Sequence, residues 1–146
     1  MIRQRLGKDL LFFDGGMGTL LQEKGLAPGE LPETWNLTHS EEIYKIHRQY
    51  IEAGSDIILT NTFGANALKF HDDSCSLEEI IKAAVSHVKK AEREALLQTG
   101  DERKIYTALD VGPTGKLLKP MGDLEFETAY RAFREVMEYG EAAGQI

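Results

Sequence analysis

Three short, largely apolar runs, Leu10–Phe13, Asp56–Thr60 and Lys104–Leu109, each stop in a cluster of polar residues and glycines. No other feature of the chain restricts its fold so strongly. Apolar runs of about 4–8 residues bounded in this way read as buried strands. The middle run, Asp-Ile-Ile-Leu-Thr, is β-branched and nearly continuous. Strands without polar alternation belong to sheets covered on both faces, and such sheets are parallel.

Helical patterns fill the intervals. Beyond Ser40, Ile43, Ile46, His47, Tyr50 and Ile51 recur on one helix face, and Gly54 stands where a C-terminal cap belongs. Thr38-His39-Ser40-Glu41 has the spacing of a capping box. A second stripe runs through Leu77, Ile80, Ile81, Ala84, Val88, Ala91 and Ala95, with Ser76 and Glu79 as its capping pair and Gly100 past its end. Phe126, Tyr130, Phe133, Met137 and Gly140 form a third, for which Asp123 is the expected N-cap. A short helix is expected from Met17 to Lys24, and Gly25–Asn36, with Pro28 and Pro32, reads as a long loop within the fold. The order β-α-α-β-α-β-α predicts an α/β fold with right-handed crossovers.

The words Tyr50-Ile-Glu-Ala-Gly54 and Tyr139-Gly-Glu-Ala-Ala-Gly144 close two helices in nearly the same letters. A strand follows the first, so a fourth strand is expected after the second, where the sequence stops. Residues 1–146 therefore read as the N-terminal part of a larger domain, with an apolar parallel edge open to self-association. A complete three-strand domain is the alternative.

Composition removes several classes. Seventeen Lys and Arg against twenty-four Asp and Glu give a net charge of −7, with no basic cluster of the kind that nucleic acid or a membrane surface requires. No apolar stretch approaches the roughly 20 residues of a membrane helix. The single cysteine, Cys75, leaves no internal disulfide and fits a reducing compartment, so a cytoplasmic location is expected.

In parallel α/β sheets, functional groups collect where strands end. Here those ends are Asp14-Gly15-Gly16-Met17-Gly18-Thr19, Thr60-Asn61-Thr62-Phe63-Gly64-Ala65-Asn66 and Asp110-Val111-Gly112-Pro113-Thr114-Gly115, all at one end of the sheet. Asp14 follows four apolar residues, so its carboxylate is partly desolvated and needs a cationic or hydrogen-bonding partner. Backbone amides after it favour an anion. That pairing suits an amino acid, with its ammonium on Asp14 and its carboxylate on the amides; the alternative is that Asp14 caps the short helix and the glycines make a tight turn. Gly15-Gly16-Met17-Gly18 is not a dinucleotide fingerprint, because Leu21 takes the third glycine's place. Gly112–Leu117 lacks the spacing and the hydroxyl of a phosphate loop. His71-Asp72-Asp73-Ser74-Cys75 reads as a solvated turn rather than a metal site, His47 as a core residue, and His39 and His87 as surface or capping residues. Trp35 is assigned packing and no chemistry.

At these strand ends the sequence resembles the homocysteine-binding methyltransferase domain, in the form found at the N-terminus of cobalamin-dependent methionine synthases. The matching words are Asp14–Gln22, Pro32–His39, Ala53–Asn66 and Gly112–Leu118. The resemblance implies a (β/α)8 TIM barrel about twice this length, of which the chain covers about three strand–helix units. It implies methyl transfer to the sulfur of homocysteine, giving methionine, with a zinc ion on three cysteines binding the thiolate. Asp14 matches the acid that holds the homocysteine ammonium, Gly15, Gly16 and Met17 the turn whose amides receive its carboxylate, and Asn61 and Thr62 the strand-two end of the pocket. Cys75 matches none of the zinc cysteines, so the chain itself is expected to hold no catalytic metal and to be inactive. Cobalamin and methyltetrahydrofolate, if used, would bind other modules; betaine or S-methylmethionine is the alternative donor. A small non-enzymatic α/β binding or self-assembling module is the alternative of a different class.

Overall fold

The computed structural model describes residues 2–71, 74–100 and 102–144. Their elements are α1 (Met17–Glu23), α2 (Trp35–Thr38), α3 (Ser40–Glu52), β1 (Ile57–Leu59), α4 (Leu77–Thr99), β2 (Tyr106–Ala108) and α5 (Phe126–Ala142), with short 3-10 turns at Ile2–Gln4 and Pro32–Thr34. β1 and β2 pair in parallel, Ile57 against Tyr106, Ile58 against Thr107 and Leu59 against Ala108. The result is the expected mixed α/β arrangement, with α4 connecting the two strands.

The first apolar run departs from expectation. Only Phe13 makes a sheet contact, a parallel bridge to Ile57, supported by Asp56 and Ile57 amides donating to the Phe12 carbonyl. Leu10, Phe12 and Phe13 are 82%, 60% and 58% exposed, so this segment lies in strand position without being buried on both faces. It forms the sheet edge, and nothing in the described chain covers its outer side. Its inner side is anchored by Asp56, which accepts from the Phe12 amide at 3.1 Å and from the Arg5 guanidinium at 3.3 Å.

Helix ends show which local signals act. Ser76 and Glu79 form the expected capping box on α4, and Gly100 closes it in the left-handed conformation at φ 66°. Gly54, at φ 111°, ends α3: its amide donates to Ile51 and the Ser55 amide to Tyr50, a Schellman closure. The Arg103 guanidinium adds donors to the Ile51 and Ser55 carbonyls, placing a cation at the negative end of α3. Two expected caps are absent. Thr38 belongs to α2 and donates back to the Thr34 carbonyl, which withdraws it from a capping box with Glu41; His39 is the N-cap of α3. The N-cap of α5 is Glu125 rather than Asp123, because Leu118 and Leu124 pair across the preceding turn and carry the helix start past Asp123.

Three apolar clusters hold the layers. Tyr44, Ile51, Ile58, Val88 and Ile105 join α3, β1 and α4; Phe70, Ile80, Ile81 and Val136 join α4 to α5; Leu21, Trp35, Ile43 and Ile46 join α1, α2 and α3. His47 is fully buried on α3, as expected of a core residue, yet neither ring nitrogen has a partner. Burial, and secondarily the neighbouring His87, pushes its pKa down to about 3, so it is held neutral. His87 is not at the surface but half-buried on α4, with its Nε2 2.7 Å from the Asn36 carbonyl. Trp35 is buried, donates to Glu30 Oε1 at 2.6 Å, and stacks on exposed His39. Asp72 and Asp73 lie outside the described residues, and Cys75 is half-buried against the α4–α5 cluster.

Candidate functional site

A cavity of about 310 Å³ opens at the end of the sheet where the three polar clusters meet. That volume is within the range of small-molecule sites. Asp14, Gly15, Gly16 and Met17 form one wall, Leu59, Thr60, Asn61 and Phe63 a second, and Pro32, Glu33 and Asp110 complete it. A larger open groove beside α5, about 740 Å³, is lined by Arg134 and Glu138, which already pair with each other at 2.7 Å.

Asp14 is fixed by the strand beside it. Its amide donates to the Ile57 carbonyl at 3.0 Å, and the Leu59 amide donates to its Oδ2 at 3.1 Å. Its Oδ1 is buried and accepts nothing. Burial raises the Asp14 pKa to about 6 against the opposing pull of those backbone amides, and the Asp110 carboxylate adds to the rise. Asp110 is itself pushed up, first by burial and then by Glu33. The turn after Asp14 is tight because Tyr50, on α3, packs beneath it: a Cβ at Gly15 would lie 2.7 Å from the Tyr50 hydroxyl, which donates to the Gly16 carbonyl.

Asn61 borders the cavity, but its amide nitrogen is committed to the Pro32 carbonyl at 2.8 Å and to Asn36 Oδ1 at 3.1 Å. Asn36 Nδ2 donates to the main-chain carbonyl of Asn61 at 2.8 Å, so bonds in both directions tie the end of β1 to α2. Thr62, expected at the pocket, stands behind it. Its hydroxyl donates to the Asp110 carbonyl at 2.7 Å, which makes Thr60 the donor in the Thr60–Thr62 contact; Thr60 accepts from the Asp110 amide at 3.1 Å. This closed circuit locks the ends of β1 and β2 together. Close backbone contact does the same at Gly112, whose amide donates to the Phe63 carbonyl and where a Cβ would stand 2.2 Å from that oxygen.

Sequence reasoning left Glu33 without a role, although it stands between Pro32 and Thr34 in one of the matching words. It is 3% exposed, and its Oε1 accepts from the Gly64 amide at 2.5 Å. Among the described residues three carboxylates thus border the cavity, and no Lys or Arg does. The arrangement can bind a small molecule carrying a positive charge.

The homocysteine S-methyltransferase profile matches residues 11–145. The chain belongs to the homocysteine S-methyltransferase family. A methionine synthase of Mycobacterium leprae (strain TN) is 30% identical over 138 residues, which are 90% of this chain and 11% of that protein. Two solved structures of the homocysteine methyltransferase MmuM from Escherichia coli share the fold at 22% identity. The oxidized form superposes with a TM-score of 0.81 over 99% of this chain and 53% of its own. For the metallated form the values are 0.82, 99% and 54%. The chain thus spans about half the length of these solved relatives and a far smaller part of the methionine synthase.

Among the described residues no three His, Cys, Asp or Glu side chains are grouped to hold a metal ion. The one thiol, on Cys75, packs against the α4–α5 cluster rather than bordering the cavity. These residues do not fit a three-thiolate zinc site. No helix among them is long and apolar enough to cross a membrane.

Proposed function

We propose that this chain supplies the amino-acid end of a homocysteine site, within an enzyme that methylates the homocysteine sulfur to give methionine. The carrying observation is Asp14 Oδ1, a buried carboxylate oxygen without a partner at the wall of a cavity of amino-acid size. An isolated buried charge is costly, and an ammonium donating to Oδ1 would remove the cost. In this reading the Gly15–Met17 backbone, which lines the same wall, would take the substrate carboxylate. Bound at both ends of its amino-acid group, the ligand would have its side chain and sulfur oriented for attack on a methyl carbon, forming S–C as the donor–C bond breaks.

In this reading the chain is the first part of a (β/α)8 barrel in a cytoplasmic enzyme. Zinc, which activates the sulfur in the family it resembles, would be held outside this chain's residues, and cobalamin and methyltetrahydrofolate by separate modules. Betaine or S-methylmethionine is the alternative methyl donor. The isolated chain is expected to be inactive, and after washing with chelator to carry far less than one zinc per chain. The exposed Leu10, Phe12 and Phe13 favour a second reading, a small module that self-assembles through its sheet edge without catalysis.

Titration of L-homocysteine into wild type and Asp14→Asn tests the proposal. Loss of the charge-assisted bond lowers affinity by about 10- to 150-fold. Equal affinities would leave Asp14 as an anchor for the Leu59 amide, a bond that the side-chain carbonyl of Asn can also accept; it is not a helix cap, since Gly16 is the N-cap of α1 and no side chain caps it.

A further inference from the structure

Glu33 has more acceptor capacity than its structural task uses. Holding the Gly64 amide requires one oxygen, Oε1, and a neutral glutamine could supply it without burying a charge. The other oxygen, Oε2, is buried, accepts nothing, and belongs to a side chain that borders the cavity. The backbone leaves space for this carboxylate: a Cβ at Gly64 would lie 2.8 Å from Oε1 and 3.1 Å from Oε2. Asp14 Oδ1 is the second orphaned acceptor on the same cavity, and Asp110 adds a third carboxylate. With no basic side chain on the walls, a cationic ligand is what relieves their mutual repulsion. Metal ligation is not favoured by the grouping of these side chains. A primary ammonium, with its hydrogen-bond donors spread tetrahedrally around one nitrogen, can serve two separate acceptors at once.

We infer that Glu33 and Asp14 together form a two-carboxylate receptor for a primary ammonium, with Glu33 the residue that makes the cavity select amino acids over their desamino counterparts. The inference rests on the reading of the cavity as an amino-acid site and adds a specificity determinant to it. Glu33→Gln keeps the carbonyl that accepts from Gly64 and removes only the charge.

The experiment titrates L-homocysteine, its desamino analogue 4-mercaptobutanoate, and methylammonium into the full chain and into Glu33→Gln. It also follows the Glu33 carboxyl carbon resonance of the wild type by NMR. Homocysteine affinity should fall by about 10- to 150-fold in the variant, while 4-mercaptobutanoate binds both proteins equally and weakly. Both homocysteine and methylammonium should move the Glu33 resonance, an observation that does not depend on the variant folding. Equal homocysteine affinities, or a resonance that neither ammonium probe moves, would overturn the inference and leave Glu33 as an anchor for Gly64. If methylammonium moves the resonance and homocysteine does not, the homocysteine reading fails and the ammonium receptor stands. If homocysteine binds through Asp14 alone, the reverse holds.

Discussion

Asp14 and His47 are both ionisable groups removed from water without a full set of partners, yet they lie in opposite kinds of surroundings. His47 is enclosed by packed helices, with two orphaned nitrogens and its charge suppressed. Asp14 borders a cavity, with one oxygen anchored by Leu59 and the other facing no partner. A polar group in a sealed layer can lower its energy only by remaining neutral. One beside a cavity can also do so by taking a ligand. The helical layer therefore has only stability to gain from its packing, whereas the strand ends leave an acceptor that a ligand would satisfy.

The largest test of that contrast is truncation within the layer. Ile80 is fully buried between α4 and α5, and Ile80→Ala should cost about 2–5 kcal/mol in urea unfolding. A loss much below that range would mean that the helical layer does not carry the fold. Next is His47→Leu, which replaces an unsatisfied imidazole with an apolar group and should raise stability at neutral pH by about 1–3 kcal/mol. The wild type should also lose stability as pH falls from about 6.5 toward 3, because the unfolded imidazole takes a proton that the native one refuses. Unfolding of His47→Leu followed across that window should be flatter.

Asp14 should act with the opposite sign and more weakly. Its native pKa is raised from 3.8 to about 6, so its contribution is most favourable below pH 4 and is lost as pH rises through 6. Asp14→Asn should remove that loss, making the variant more stable at pH 7 by about 1 kcal/mol after allowance for solvent screening. A variant less stable than wild type at pH 7 would show that the carboxylate supports the fold. Smallest in stability is Phe12→Lys at the exposed edge, expected to change unfolding by less than about 0.5 kcal/mol. We expect it to suppress self-association, measured by sedimentation over a range of concentrations; unchanged association would locate the contact elsewhere.

What the sequence made legible was local. Ser76 with Glu79, and Gly54 and Gly100 after their helices, act within a few residues, and the structure places them as their spacing requires. The strand ends were legible because parallel topology gathers them, bringing Asp14, Gly15, Gly16, Met17 and Asn61 to one cavity. Glu33 was not, since its burial depends on an amide 31 residues away and on the lack of a side chain there. Thr62 does not line that cavity, because hydrogen bonding to the end of β2, not its neighbourhood in the chain, decides where its hydroxyl goes. Leu10–Phe13 reads as a buried strand from composition, but burial needs a covering layer, which no run of letters supplies by itself.

The bonded pair of Asn36 and Asn61 has a consequence for engineering. Asn61 Nδ2 donates to Asn36 Oδ1, and Asn36 Nδ2 donates to the main-chain carbonyl of Asn61, so replacing Asn36 strands buried partners of both kinds at the end of β1. Loss of Asn36 should therefore cost stability whatever residue stands at position 61, because one of its two bonds is to the main chain there. A designer transplanting the β1 loop to another scaffold would have to move Asn36 with it, although it lies far upstream on a different element.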